Sequence, residues 1–140
     1  MEATKSLKKN KRLPEINTII TKETLAEKID RYLIYTPHIA AKSQPGQFVI
    51  VRLSDNGERV PLTICDSDLQ NGTITLVVQS VGKSTAMMAA MREGERINDI
   101  LGPLGNPSEI KNFGRVVVVG GGLGAAVSFP VAKALKAAGN

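Results

Sequence analysis

The chain has 140 residues, the size of a single domain, and its 42% of hydrophobic and 22% of charged residues are ordinary values for a globular protein. No apolar run is long enough to cross a membrane, and one cysteine, Cys65, excludes both an intrachain disulfide framework and a cysteine-rich metal site. The cysteine usage favours a cytoplasmic location. Five aromatic residues without tryptophan are too few for a surface that stacks single-stranded nucleic acid.

The net charge of +5 is concentrated at the amino-terminal end of the chain. Residues 1–13 contain five basic side chains and one acidic side chain, whereas the remainder contains 13 basic and 12 acidic residues. This pattern predicts a basic, disordered tail over residues 1–13. Contact of the tail with nucleic acid is the less favoured alternative.

Six segments of β-branched or alternating residues predict an antiparallel β domain over residues 14–112. The predicted strands cover residues 16–21, 28–36, 47–53, 59–65, 73–80 and 96–101. Turns are predicted at residues 55–57, 71–72 and 102–105, where glycine adjoins asparagine or proline. Pro61 places the fourth strand at a sheet edge or break, because proline cannot donate a ladder hydrogen bond. The short spacing of the turns favours a closed barrel or a sandwich.

Two helices are predicted, and the second one follows a different kind of strand. Residues 84–92 carry methionines at helical spacing. Four valines at residues 116–119 predict a buried strand, a glycine turn follows at 120–124, and an alanine-rich helix is expected over about 125–138. This order predicts the start of a parallel α/β domain over residues 113–140. A lone strand cannot bury both faces, so we expect the chain to be the front part of a longer protein or to be completed by a partner.

The glycine turn fits a dinucleotide-binding fingerprint. Gly120, Gly122 and Ala125 match the G-x-G-x-x-G/A pattern, with an apolar segment before them and a helix after them. In that motif, backbone N–H groups approach a pyrophosphate at the start of the helix. A glycine-rich loop without a ligand is the alternative, and these residues alone leave both open.

The Gly-Lys-Ser-Thr sequence at residues 82–85 outlines an anion site at the start of the first predicted helix. It is not a phosphate-binding P-loop, because Val77 stands where that motif requires its first glycine. Gly82 permits a close approach, and the first turn of a helix has free N–H groups. The alternative is a simple capped helix.

The Arg-Val-Pro-Leu-Thr sequence at residues 59–63 is a third candidate site. Alternation puts Arg59, Pro61 and Thr63 on one strand face, where a broken ladder leaves room for a flat ligand edge and arginine can bind phosphate. An edge strand with a solvated arginine is the alternative. His38 has no second histidine to join it, and no nucleophile–base pair is evident, so we predict no metal-binding and no catalytic residue.

Taken in chain order, these three motifs and the Gly-Pro-Leu-Gly sequence at residues 102–105 resemble the ferredoxin–NADP reductase superfamily. Within it, the chain is most similar to the branch that contains the electron-transfer subunit of dihydroorotate dehydrogenase and the FAD-bearing small subunit of NADH-dependent ferredoxin:NADP oxidoreductase. The resemblance covers about residues 15–140 and implies a six-stranded antiparallel Greek-key FAD-binding barrel with one short helix. The first strand and helix of a truncated α/β nucleotide-binding domain would follow.

The resemblance also implies roles for individual residues. The isoalloxazine would be lined by Pro61, Leu62 and Thr63, with Arg59 at the leading basic position of that motif. The flavin and ribityl chain would run beside Val77, Val78 and Gln79. The FAD pyrophosphate would be held by Gly82, Lys83, Ser84 and Thr85. The NAD(P) site would begin with Gly120, Gly121, Gly122 and Gly124.

The activity implied by the resemblance is electron transfer between NAD(P)H and an iron–sulfur or ferredoxin partner through FAD, in association with a larger flavin or iron–sulfur subunit. Leu62 departs from plant-type reductases, which have an aromatic residue there, and the four cysteines that bind a [2Fe-2S] cluster in this branch are absent. We expect the 140-residue chain to be inactive alone, with a C-terminal segment that is disordered, folded back or paired in a homodimer. The alternative is a non-enzymatic β-barrel binding module whose basic tail contacts RNA.

Overall fold

The computed structural model describes residues 12–140, so the predicted tail lies almost entirely outside the described residues. Seven strands and three helices lie within residues 12–140. In chain order they are β1 (Thr18–Ala26), β2 (Ile29–Tyr35), α1 (Pro37–Ala40), β3 (Phe48–Arg52), β4 (Val60–Thr63), β5 (Asp66–Asp68), β6 (Thr73–Gln79), α2 (Lys83–Ala89), β7 (Asp99–Leu104) and α3 (Gly124–Ala137). Each of the six strands predicted for the β domain is present.

The strands form two antiparallel sheets, a four-stranded one in the order β1-β2-β6-β5 and a three-stranded one in the order β4-β3-β7. The antiparallel, mainly β architecture is therefore confirmed. The strand count differs from the prediction, because β5 is an additional strand that pairs with β6 despite its polar Asp-Ser-Asp sequence. An isolated bridge joins Thr18 to Arg96, but the described strands do not close into a barrel.

Two predictions concern the three-stranded sheet. β4 lies at its edge, with Pro61 opposite Ile50, so the edge position predicted from proline is confirmed. The turn predicted at residues 102–105 is wrong over most of its length, because β7 continues to Leu104, which pairs with Phe48. Gly102 lies so close to β3 that an added Cβ would be 2.7 Å from Val49 Cγ1. Glycine is therefore needed there for packing rather than for a turn.

The core lies between the two sheets, where alternate side chains point inward. The central strands β2 and β6 contribute Tyr32, Ile34, Ile74, Leu76 and Val78, each 4% exposed or less. The three-stranded sheet contributes Val49 and Val51 to the same cluster. Leu33 and Val77 alternate with these residues and lie on the opposite, partly exposed face of the four-stranded sheet. That outer face is available for other contacts.

The strand predicted at residues 116–119 is absent, and this prediction is wrong. Val117 and Val119 are 80% and 88% exposed, and no described strand pairs with them. A strand that is apolar on both faces forms only where neighbouring elements cover both of them. The following helix is present as predicted, with Pro130 buried inside it. No helix within residues 12–140 combines the length and apolar character needed to cross a membrane.

Candidate functional site

The turn between β6 and α2 is organised by one hydroxyl group. Gly82 precedes α2 with an extended backbone, and a Cβ built on it would have no atom within 4 Å. Thr85 Oγ1 accepts hydrogen bonds from the backbone N–H groups of Val81 (2.9 Å) and Gly82 (3.0 Å). The helix start is therefore capped by a side chain, and open space lies beside it.

The next backbone N–H groups, those of residues 83–85, have no acceptor among the described residues. The side chain of Lys83 is exposed at the same turn. Unpaired N–H groups and an ammonium group together favour a negatively charged ligand. The donors and the open space at Gly82 fit a phosphate or pyrophosphate group.

The loop before β4 is joined to this turn by a hydrogen bond between two side chains. Ser84 Oγ donates to Glu58 Oε2 at 2.6 Å, across 26 positions of the sequence. Beside this bond, a small cavity is lined by Leu62, by Ser84 and Thr85 of α2, and by further apolar side chains. The structure thus brings together the motifs at residues 59–63 and 82–85. Glu58 was missed by sequence analysis, although it directly precedes Arg59.

The residues of β4 and Arg59, which directly precedes it, differ in their exposure. Arg59 and Pro61 are exposed, whereas Leu62 and Thr63 are half-buried. Because β4 is an edge strand, its outer side has no neighbouring strand among the described residues. The outer edge of β4 therefore presents both polar and apolar groups beside the start of α2.

The three predicted site residues of β6 do not share one face. Val77 is half-buried on the outer face, Gln79 is exposed, and Val78 is 4% exposed within the core. The side chain of Val78 therefore packs internally, and only its backbone is available to a ligand. These roles are not separable from the sequence alone, because the register of β6 depends on its pairing with β2.

A cleft of about 460 Å³ lies between the outer face of the four-stranded sheet and α3. Val77, Cys65 and Thr75 line one side, and Ala125 and Phe129 of α3 line the other. Burial raises the pKa of the Cys65 thiol, so this side chain is a neutral apolar wall at neutral pH. The structure therefore places α3, which follows the glycine turn, beside one of the predicted flavin residues.

One ion pair holds α3 next to β5. Lys133 Nζ lies 2.9 Å from Asp66 Oδ1 and 3.2 Å from Asp66 Oδ2, and both side chains are largely exposed. Exposed pairs of this kind contribute about 0–1 kcal/mol. The C-terminal segment is folded back against the sheet, one of the expected outcomes; Pro130 and Leu135 of α3 are buried there, and the ion pair adds a weak contact.

The glycine turn itself is compact and exposed. A Cβ on Gly120 would be 2.8 Å from the backbone nitrogen of Ala125, so only glycine fits there. Gly122 has a φ of +54°, a conformation that also favours glycine. No hydrogen bond among the described residues joins Gly121 or Gly124 to the start of α2.

Within residues 12–140 there is no group of three or more potential metal ligands.

Comparison with curated proteins identifies relatives among electron-transfer subunits. The chain is 47% identical over 125 residues to the dihydroorotate dehydrogenase B (NAD(+)), electron transfer subunit homolog of Thermotoga maritima. The matched region covers 89% of this chain and 44% of that protein. It is 30% identical to the dihydroorotate dehydrogenase B (NAD(+)), electron transfer subunit of Geobacillus thermodenitrificans, over 84% of this chain and 48% of that protein. The chain spans about half the length of the curated relatives it matches.

Comparison with solved structures agrees. A chain of the NADH-dependent reduced ferredoxin-NADP oxidoreductase superposes with a TM-score of 0.88 at 47% identity, covering 89% of this chain and 45% of that one. The cytochrome P450 reductase of Amycolatopsis shares the fold, with a TM-score of 0.70 at 20% identity over 87% of this chain and 38% of that one. Residues 17–108 match the family described as oxidoreductase FAD-binding domain. The resemblance noted in the sequence is confirmed, and the chain belongs to the oxidoreductase FAD-binding domain family.

Proposed function

We propose that this chain binds one FAD between β4 and the start of α2. The observation that carries the proposal is the hydrogen bond from Ser84 to Glu58, which brings the two motifs together beside unpaired N–H groups. The isoalloxazine lies against Arg59 and residues 61–63, and its ribityl chain follows Val77, Gln79 and the backbone of Val78. The pyrophosphate lies on residues 82–85.

The residues of this site bind and orient the cofactor. The N–H groups of residues 83–85 and the Lys83 ammonium offset the charge of the pyrophosphate. Leu62 gives an apolar contact in place of an aromatic stack, so the phosphate contacts carry a larger share of the affinity. FAD, when bound, supplies the chemistry of accepting hydride and releasing single electrons.

We also propose that the whole protein moves electrons between NAD(P)H and an iron–sulfur or ferredoxin partner, together with a larger flavin or iron–sulfur subunit. The names of its relatives support this, since they are electron-transfer subunits and an NADH-dependent oxidoreductase. In this proposal residues 14–112 are the FAD domain, with the Greek-key plan that the resemblance implies. Residues 113–140 begin the NAD(P) domain at Gly120, Gly121, Gly122 and Gly124. A cytoplasmic location and a homodimer through this segment stay predictions.

Titration of the apo-protein with FAD and with FMN tests the flavin proposal. FMN lacks the second phosphate and the adenosine, so we expect it to bind at least about tenfold more weakly, a difference of about 1.4 kcal/mol. Quenching of flavin fluorescence measures both dissociation constants. Equal affinities contradict the pyrophosphate role of residues 82–85. Absence of binding by either flavin, together with salt-sensitive RNA binding, supports the alternative of an RNA-contacting module.

A further inference from the structure

The C-terminal end of α2 is held by a lysine that reaches across from β1. Lys22 Nζ donates to the backbone carbonyls of Ala89 and Met91, the latter at 3.0 Å. Its side chain is only 19% exposed, and Asp30 Oδ2 lies 3.7 Å from the ammonium nitrogen. The carboxylate of Asp30 is itself fixed by a 2.7 Å hydrogen bond from Thr24. Lys22 is therefore a partly buried, oriented donor to the end of the helix.

A second donor reaches the same end of α2 from β2. Tyr32 Oη donates to the backbone carbonyl of Met88 at 3.0 Å, and Tyr32 is 1% exposed. The Lys22 ammonium lies 5.6 Å from the centre of the Tyr32 ring, so the two side chains also contact each other. Together they supply donors to three carbonyls between residues 88 and 91.

These contacts add to the hydrogen bonds from the residues just after α2, where the Ala90 N–H reaches the carbonyls of Ala86 and Met87 and the Met91 N–H reaches that of Met88. The helix has only seven residues, and its last turn contains no basic residue. Helices this short are unstable alone in water, and their last carbonyls require donors from elsewhere. The C-terminal end of α2 is therefore held by donors from the four-stranded sheet together with Met88, which is 2% exposed in the core. Since a single short helix moves as a rigid unit, fixing one end also fixes the other.

We propose that Lys22 and Tyr32 are positioning residues for the FAD pyrophosphate, because they hold α2 so that residues 82–85 stay at the edge of β4. This inference rests on the proposed function. Neither residue belongs to the three motifs, and both lie at the far end of α2 from the phosphate-binding turn. Their loss displaces the phosphate contacts and leaves the contacts of the isoalloxazine with residues 59–63 in place.

The test compares FAD with riboflavin, which lacks phosphate, in wild type and in the variants Lys22→Met and Tyr32→Phe. We expect each variant to lose about tenfold in FAD affinity, or about 1.4 kcal/mol, while its riboflavin affinity stays at the wild-type value. Lys42→Met is the matched control, since it removes an exposed lysine whose side chain makes no hydrogen bond or ion pair with α2 among the described residues. Hydrogen exchange of residues 83–85 gives a second readout: FAD protects these amides in wild type and protects them less in the variants.

The outcomes separate this inference from the proposed function. If wild type binds FAD and riboflavin equally well, the proposed pyrophosphate site is wrong. If wild type prefers FAD, and folded variants keep both that preference and the amide protection, the positioning role is wrong. Where Lys22→Met lowers the folded fraction seen by circular dichroism, Tyr32→Phe decides the matter, because it removes one oxygen atom and keeps the packed ring.

Discussion

The carboxylate of Glu58 and the hydroxyl of Ser84 lie 2.6 Å apart, so a negatively charged group already accepts a hydrogen bond from the first turn of α2. A phosphate that binds to this turn competes with Glu58 for the same hydroxyl. Two like charges about 4 Å apart repel by about 1 kcal/mol in water. We therefore expect Glu58 to weaken the proposed binding of a phosphate ligand, even though it joins the two motifs.

The first prediction follows from this competition. Glu58→Gln keeps a hydrogen-bond acceptor for Ser84 and removes the charge, so we expect FAD to bind about fivefold more tightly, as a repulsion of about 1 kcal/mol implies. Isothermal titration calorimetry measures the change. Glu109→Gln, which removes an exposed charge that contacts Lys111, is the matched control and leaves the affinity unchanged. Weaker binding by Glu58→Gln would mean that the carboxylate supports the site.

A second prediction separates two residues of the same turn. Lys83→Ala removes one charge-assisted contact, worth roughly 1.5–3 kcal/mol of FAD affinity, with little change in melting temperature. Thr85→Ala also removes the acceptor for the N–H groups of Val81 and Gly82, so it lowers both FAD affinity and melting temperature. Thr85→Ser restores both. Calorimetric titration measures the FAD affinity of each variant, and thermal unfolding measures its melting temperature. Unchanged FAD affinity in Lys83→Ala contradicts a contact between Lys83 and the pyrophosphate.

The third prediction concerns stability at alkaline pH. Burial, and next the negative charge of Asp30, raise the pKa of Tyr32 well above its usual value of 10.0. Up to about pH 9 both folded and unfolded chains keep this proton, and the buried hydroxyl contributes fully to stability. Above that pH the unfolded chain loses the proton first, so the free energy of unfolding falls as pH rises.

Urea unfolding at pH 8, 10 and 11 measures this dependence. Tyr32→Phe loses about 1 kcal/mol at pH 8, because its buried hydrogen bond to the Met88 carbonyl is lost while that carbonyl keeps the Met91 N–H, and its stability falls less steeply above pH 10. Absorbance titrations of the folded wild type and of Tyr32→Phe follow the ionisation of tyrosine. The difference between the two curves isolates the ionisation of Tyr32. Equal pH dependence in wild type and Tyr32→Phe would show that another group is responsible.

A fourth prediction concerns the nicotinamide nucleotides. The 140-residue chain, loaded with FAD, is reduced by dithionite but only slowly by NADH or NADPH. Residues 116–119 form no strand here, whereas nucleotide sites in α/β proteins lie across the ends of several strands. Without such a site, the orientation that supplies about 7–11 kcal/mol of the barrier is missing. Anaerobic stopped-flow absorbance measures the reduction, and fast saturable bleaching by either nucleotide contradicts this expectation.

Much of the fold follows from local sequence patterns. Alternation predicted β2, the residue types at 73–80 predicted β6, and Pro61 predicted an edge or a break at β4, which lies at the edge. β5 was missed because its Asp-Ser-Asp sequence has no strand propensity and depends on pairing with β6. The valine run at residues 116–119 failed in the opposite way, since its propensity is high but no partner strand is present among the described residues.

The site was predictable as a set of motifs but not as an arrangement. The residues at 59–63 and 82–85 are recognisable in the sequence, and the structure places them side by side. The supporting contacts are not recognisable, because Lys22 and Met91 are separated by 69 positions and Glu58 and Ser84 by 26. Such pairs are set by how the sheets and α2 pack, which no local pattern encodes.

The exposed valines also bear on how the chain behaves at high concentration. Val117 and Val119 belong to an uncharged, β-branched segment whose backbone is free to pair with another chain. Short segments of this composition are the usual nuclei of ordered aggregates when nothing covers them. Solubility of the 140-residue chain is therefore expected to depend on this segment rather than on the net charge of +5.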